Sequence, residues 1–128
     1  MLKFILFIIC SVLFFHSFAI QESDIIGTWL FVESGDDYKD TKNCTFFEKG
    51  KFKCEIEEHG FTQNGWGEST TFSTKGTWSI FDGSLKMSET IFGSTRETSF
   101  KVSKVNTGEL VLVLNSKKQV WQRSSNAK

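Results

Sequence analysis

Cys44 and Cys54, ten residues apart, are the side chains best placed to react, and the reaction is oxidation to a disulfide. Between them lies Glu48-Lys49-Gly50, whose glycine stands where a three-residue hairpin loop takes a left-handed residue. Pairing Phe47 with Lys51 across that loop sets Phe46 against Phe52 and Cys44 against Cys54, on one side of a two-stranded sheet. Opposed residues lie about 4.5–5.5 Å apart at Cα, within reach of a disulfide. Closing so short a loop contributes about 2.5 kcal/mol on the chain-entropy account. Two free buried thiols are the alternative.

The remaining reactive groups do not assemble into a catalytic set. Beyond residue 19 the chain has one histidine, His59, and no Cys-x-x-Cys pair, so no metal site is expected. Glu55, Glu57 and Glu58 could be paired carboxylates, but with Lys51 and Lys53 they fall on the polar side of a predicted strand and read as a solvated face. Asp36, Asp37 and Asp40 lack the ligand spacing and terminal glutamate of a calcium loop and read as a polar turn. No Gly-x-Ser-x-Gly is present and no base stands beside a nucleophile, so neither catalytic residues nor a cofactor are expected and the chain reads as a non-enzyme. Asn43-Cys44-Thr45 is a formal glycosylation sequon inside a strand, expected to be unmodified.

An oxidising compartment is implied by the first nineteen residues. Lys3 precedes an unbroken apolar run from Phe4 to Phe15, and Ser17-Phe18-Ala19 has the small-residue pattern of a cleavage site. This is the form of a secretory signal peptide cleaved after Ala19, too short to span a bilayer, which takes about 20 apolar residues. Ile8-Ile9 precede Cys10 where a lipid-attachment site has small residues, so no lipid anchor is expected. The expected product, residues 20–128, is secreted or periplasmic and forms one domain. Its 14 basic and 15 acidic side chains are interspersed, which gives no electrostatic drive toward nucleic acid or anionic membranes. A monomer is expected. Nine Phe, four Trp and one Tyr in 109 residues are a heavy aromatic load, suited to filling a small core.

Period-two patterning and turn signals supply the elements. Asp82-Gly83 is a two-residue hairpin turn that sets Ile80 against Leu85 and Trp78 against Met87, with Thr77, Ser79, Lys86 and Ser88 on the other face. Asn106-Thr107-Gly108, treated as a three-residue loop, sets Val102 against Leu112, Phe100 against Leu114 and Leu110 against Lys104. A turn at Ser116-Lys117 then lays Trp121 beside Leu112 and Arg123 beside Leu110. Strands are predicted at about 27–33, 43–48, 51–58, 69–74, 76–81, 84–91, 96–105, 109–115 and 118–123, with irregular segments at 34–42 and 60–68 and no helix. Eight or nine short antiparallel strands in meander order form an all-β, up-and-down barrel; a two-sheet sandwich is the structural competitor.

Two Gly-Thr-Trp triplets, Gly27-Thr28-Trp29 and Gly76-Thr77-Trp78, and the terminal Val120-Trp121-Gln122-Arg123 give the chain a resemblance to small secreted bacterial lipocalin-like domains. These belong to the calycin group, which includes lipocalins, fatty-acid-binding proteins and avidins. The resemblance implies that Trp29 closes one barrel end with Arg123 stacked on its ring, a cation–π contact of about 0.5–2 kcal/mol. Fatty-acid-binding proteins place a helical lid after their first strand and an Arg-x-Tyr near the end; this chain has room for no such lid and reads Arg123-Ser124-Ser125. A lipocalin-like barrel would hold a small hydrophobic ligand among Trp29, Phe31, Phe46, Phe52, Ile56, Trp78, Met87, Phe100, Leu112 and Trp121, with Arg123 available to a ligand carboxylate. The alternative, that the same residues form a solid core, is the leading one, since eight strands enclose little more than their own side chains. The competing reading is a protein-binding module. Trp66, between two glycines in the 60–68 segment, would then be a partner contact, its alternative being to fold back and plug the barrel mouth, and a resemblance to periplasmic metalloprotease inhibitors would put Ile20-Gln21-Glu22-Ser23 in a target site.

Overall fold

The computed structural model describes residues 19–62 and 65–124, without the side chains of residues 61, 62, 65, 66 and 68. The expected signal peptide, apart from Ala19, and the Trp66 side chain therefore lie outside the described residues. One helical turn, α1 (Glu22–Ile25), precedes eight strands: β1 (Gly27–Ser34), β2 (Tyr38–Phe47), β3 (Lys51–Thr62), β4 (Gly65–Phe81), β5 (Ser84–Ile91), β6 (Ser94–Val105), β7 (Glu109–Leu114) and β8 (Lys117–Arg123). They pair in sequence order, all antiparallel, and β1 joins β8 to close a barrel. The sandwich alternative is excluded by that closure.

Turn chemistry fixes the registers. Phe46 pairs with Phe52 and Cys44 with Cys54, as the Glu48–Gly50 turn requires, and the cysteines are bonded with a Cα separation of 4.0 Å, closer than expected. Lys49 joins Gly50 in the left-handed region, at φ 67° and 75°. The Asp82-Gly83 turn pairs Ile80 with Leu85 and Trp78 with Met87. With these registers, one face of every strand points into the barrel.

Five sequence-based expectations are corrected. β4 is a single strand that runs straight through Gly76: a Cβ there would fall 1.8 Å from the Ser88 carbonyl oxygen, so only glycine lets β5 approach. The strands expected at 69–74 and 76–81 are therefore one, and the count is eight. Most of the two supposedly irregular segments is strand. β2 begins at Tyr38 opposite the end of β1, and β3 and β4 stay paired to Thr62 and Gly65; polar residues at inward as well as outward positions, Asp40 and Lys42 among them, hide the alternation. In the β6–β7 hairpin Leu110 faces Val105, not Lys104, because a bulge between Val102 and Lys104 absorbs one residue before Val102 meets Leu112. The last turn is Asn115-Ser116, both left-handed, which sets Trp121 beside Leu110 and leaves Arg123 to face Trp29. The two-residue shift preserves which side chains face inward.

The fifth correction is α1, too short for a helical period to show. Gln21 and Asp24 cap it reciprocally, with Gln21 N–H on Asp24 Oδ2 at 3.0 Å and Asp24 N–H on the Gln21 carbonyl at 3.0 Å. The turn delivers Ile25 into the barrel end, fully buried. Together with Trp29, Phe46, Phe52, Trp78, Leu85, Leu110 and Trp121 it forms the core. Burial of each large apolar side chain contributes about 1.5–3 kcal/mol.

Candidate functional site

The inward face changes character along the barrel axis. At the α1 end the two Gly-Thr-Trp tryptophans serve as plugs. Trp29 is wholly buried and its indole N–H donates to the Ile25 carbonyl at 2.8 Å; Trp78 donates to the carbonyls of Phe47 and Lys51 at 3.1 and 2.9 Å. Phe46 meets Trp78 edge-on at 5.5 Å, and Phe31 stacks on Trp121 at 5.0 Å. Arg123 lies 4.2 Å from the centre of the Trp29 ring and donates to the carbonyls of Ile26 and Asp24 at 3.1 and 3.3 Å. Those contacts tie α1 to the last strand. They also occupy the guanidinium at the plugged end.

The candidate lining residues consequently divide into two groups. Trp29, Phe46, Phe52, Ile56, Trp78, Leu112 and Trp121 are buried in the packed core. Phe31, Met87 and Phe100, also inward-facing, stay only partly buried, as does Phe72, which pairs with Ile56 and was not singled out from the sequence. The core also takes in Val102, on the same face of β6 as Phe100.

Beyond this aromatic belt the inward positions turn polar. Period two from Trp29 and Phe31 reaches Glu33; from Cys44 it reaches Lys42 and Asp40; from Leu85 and Met87 it reaches Glu89; from Phe100 it reaches Thr98 and Arg96. Glu89 is largely buried, its side chain 16% exposed, and its ion-pair partner is Arg96 at 3.6 Å, a 68% exposed arm. The signal for Glu89 was present in the Asp82-Gly83 register, which puts it on the face of Met87. Midway down, Thr74 completes a row with Trp29, Cys44 and Cys54, and its hydroxyl is buried without a hydrogen-bond partner. At the mouth, Tyr38 donates to Glu33 Oε1 at 3.4 Å, and that carboxylate raises the phenol's pKa above its ordinary value near 10.

The wall is weakest between β1 and β8, which pair only at Trp29 with Arg123 and Leu30 with Gln122. Above that point a cleft of about 260 Å³ opens among Phe31, Glu33, Lys117, Lys118 and Gln119. Of the other sequence candidates, His59 contacts Glu57 at 2.6 Å on the outer face, and Glu55 pairs with Lys53 at 3.6 Å. Among the described residues no three His, Cys, Asp or Glu side chains are grouped as a metal site.

A closed eight-stranded meander plugged by Trp29 under Arg123 is a lipocalin-like barrel. A lipocalin-like protein from Bacteroides uniformis ATCC 8492 superposes with a TM-score of 0.53 at 17% identity, over 79% of this chain and 99% of that one. An uncharacterized protein from Bacteroides eggerthii DSM 20697 gives 0.51 at 14% identity, over 78% and 99%. No family model matches the sequence, and no curated protein does.

Proposed function

We propose that this protein is a secreted, non-enzymatic carrier that holds a small amphiphilic ligand in the open half of the barrel. The observation that carries the reading is the partial exposure of Phe31, Phe72, Met87 and Phe100. They point inward in a closed barrel, so the surface they leave uncovered faces the lumen. An apolar ligand moiety covers this belt, and its polar end meets Glu33, Lys42, Glu89, Arg96 or Gln119 on the upper wall. A few convergent polar groups over an apolar floor are the usual composition of a small-molecule site.

The Cys44–Cys54 bond supports export to an oxidising compartment, in keeping with the apolar leader. No described helix is long and apolar enough to cross a membrane. Carriage is favoured over inhibition of a protease by the chain's first expected residues, because Ile20 packs against the core and α1 is clamped by Arg123. The test is titration with a neutral fluorescent apolar probe, Nile red, against wild type and Met87→Trp, which fills the lumen. Saturable binding by wild type that Met87→Trp loses, with denaturation midpoints unchanged, supports the reading; equal binding by both rejects it.

A further inference from the structure

On the outside of the barrel, three lysines lie side by side on β3 and β4 next to Gly76. Lys53 and Lys75 are direct cross-strand partners, and Lys51 is the next outward residue of β3. Like charges placed opposite one another destabilise a sheet. Among the described residues the one carboxylate in ion-pair range of the three is Glu55, 3.6 Å from Lys53; Lys51 and Lys75 have none. The same three residues line a cleft of about 440 Å³ together with Phe47, Phe52, Gly76, Thr77 and Thr90. Phe47 is 48% exposed at its edge, while Thr77 and Thr90 present exposed hydroxyl-bearing side chains. Convergent ammonium groups, hydroxyl donors and a flanking aromatic ring are the chemistry of an oxyanion carried on an apolar or ring-bearing body.

We propose that this cleft is a binding site for a phosphate-type oxyanion, separate from the lumen and independent of what the lumen holds. The anion sits between Lys53 and Lys75 and relieves their mutual repulsion, Lys51 closes the third side, and Phe47 packs against the attached group.

Amide spectra of the full folded protein, titrated with inorganic pyrophosphate, test the site. The expected result is saturable shifts confined to residues 51–53 and 75–77. Affinity should fall by about tenfold or more in Lys75→Thr or in strong salt, and should be unchanged in Lys101→Thr on the outer face of β6. Ligand-free Lys75→Thr should unfold at no lower denaturant concentration than wild type, since it loses only a repelling charge. Non-saturable or evenly spread shifts, or identical titrations of wild type and Lys75→Thr, would overturn the proposal. Parallel sedimentation with phosphatidylcholine vesicles, with and without phosphatidylglycerol, distinguishes the sources. Binding dependent on Lys75 and on the anionic lipid identifies a headgroup, pyrophosphate binding alone identifies a soluble phosphate ester, and the absence of both refutes the site.

Discussion

Arg123→Met removes the guanidinium while keeping an unbranched apolar side chain against Trp29. Wild type has a ring contact at 4.2 Å and two bonds to carbonyls at 3.1 and 3.3 Å. A half-buried cation–π contact is worth about 1 kcal/mol and each hydrogen bond about 1 kcal/mol. Arg123 Nε is buried with no partner, so its loss returns part of that sum. The net cost should be about 2 kcal/mol, which for a domain of this size lowers Tm by about 8–16 °C. Denaturant unfolding followed by tryptophan fluorescence gives the free energy, and amide exchange gives the location. Faster exchange should appear first at residues 28–30 and 122–124, where β1 and β8 meet. Arg123→Lys should recover less than half, because an ammonium cannot stack and hold two carbonyls at once. A loss below about 0.5 kcal/mol, or full rescue by lysine, would refute the clamp.

Gly76→Ala should destabilise by more than about 2 kcal/mol in urea unfolding, since the new methyl meets the Ser88 backbone and not a flexible side chain; Gly83→Ala, whose Cβ position is open, should cost less despite its φ of 73°. Thr74→Val should leave the ligand-free protein equally stable or up to about 1 kcal/mol more stable, by replacing an unsatisfied buried hydroxyl with a methyl. Phe92→Asn should raise stability by about 0.5–1 kcal/mol, because Phe92 is 91% exposed at φ 48°, a turn position that asparagine adopts more readily; a loss of stability would mean that its 6.0 Å contact with Phe72 outweighs the strain.

The barrel and its closed end were legible because short turns fix register. Glu48-Lys49-Gly50 and Asp82-Gly83 placed eight inward side chains correctly, including both cysteines, without any tertiary information. Where the last turn was misjudged the faces survived but the neighbours did not, as Trp121 shows by meeting Leu110 in place of Leu112, whereas the bulge in β6 turned Lys104 outward and put Val105 on the core. The continuity of β4 through Gly76 was hidden because glycine reads locally as a break, and its reason is a neighbouring strand 12 residues further along the chain. The Ser103 bulge has no local signature, and α1 is a single turn held by contacts that form only in the closed barrel. At the candidate site the aromatic belt was readable, whereas the polar upper wall was not drawn from the register that already implied it, because inward charges contradict the usual apolar expectation.

The central claim is that the upper lumen holds a ligand, and the most direct measurement compares native with denaturing mass spectra of the protein purified from its own host. The account predicts a discrete excess mass in the native spectrum that disappears on denaturation and is absent from Met87→Trp. A native mass equal to the denatured one, two daltons below the reduced sequence and with no excess, would leave the Cys44–Cys54 bond standing and contradict ligand carriage.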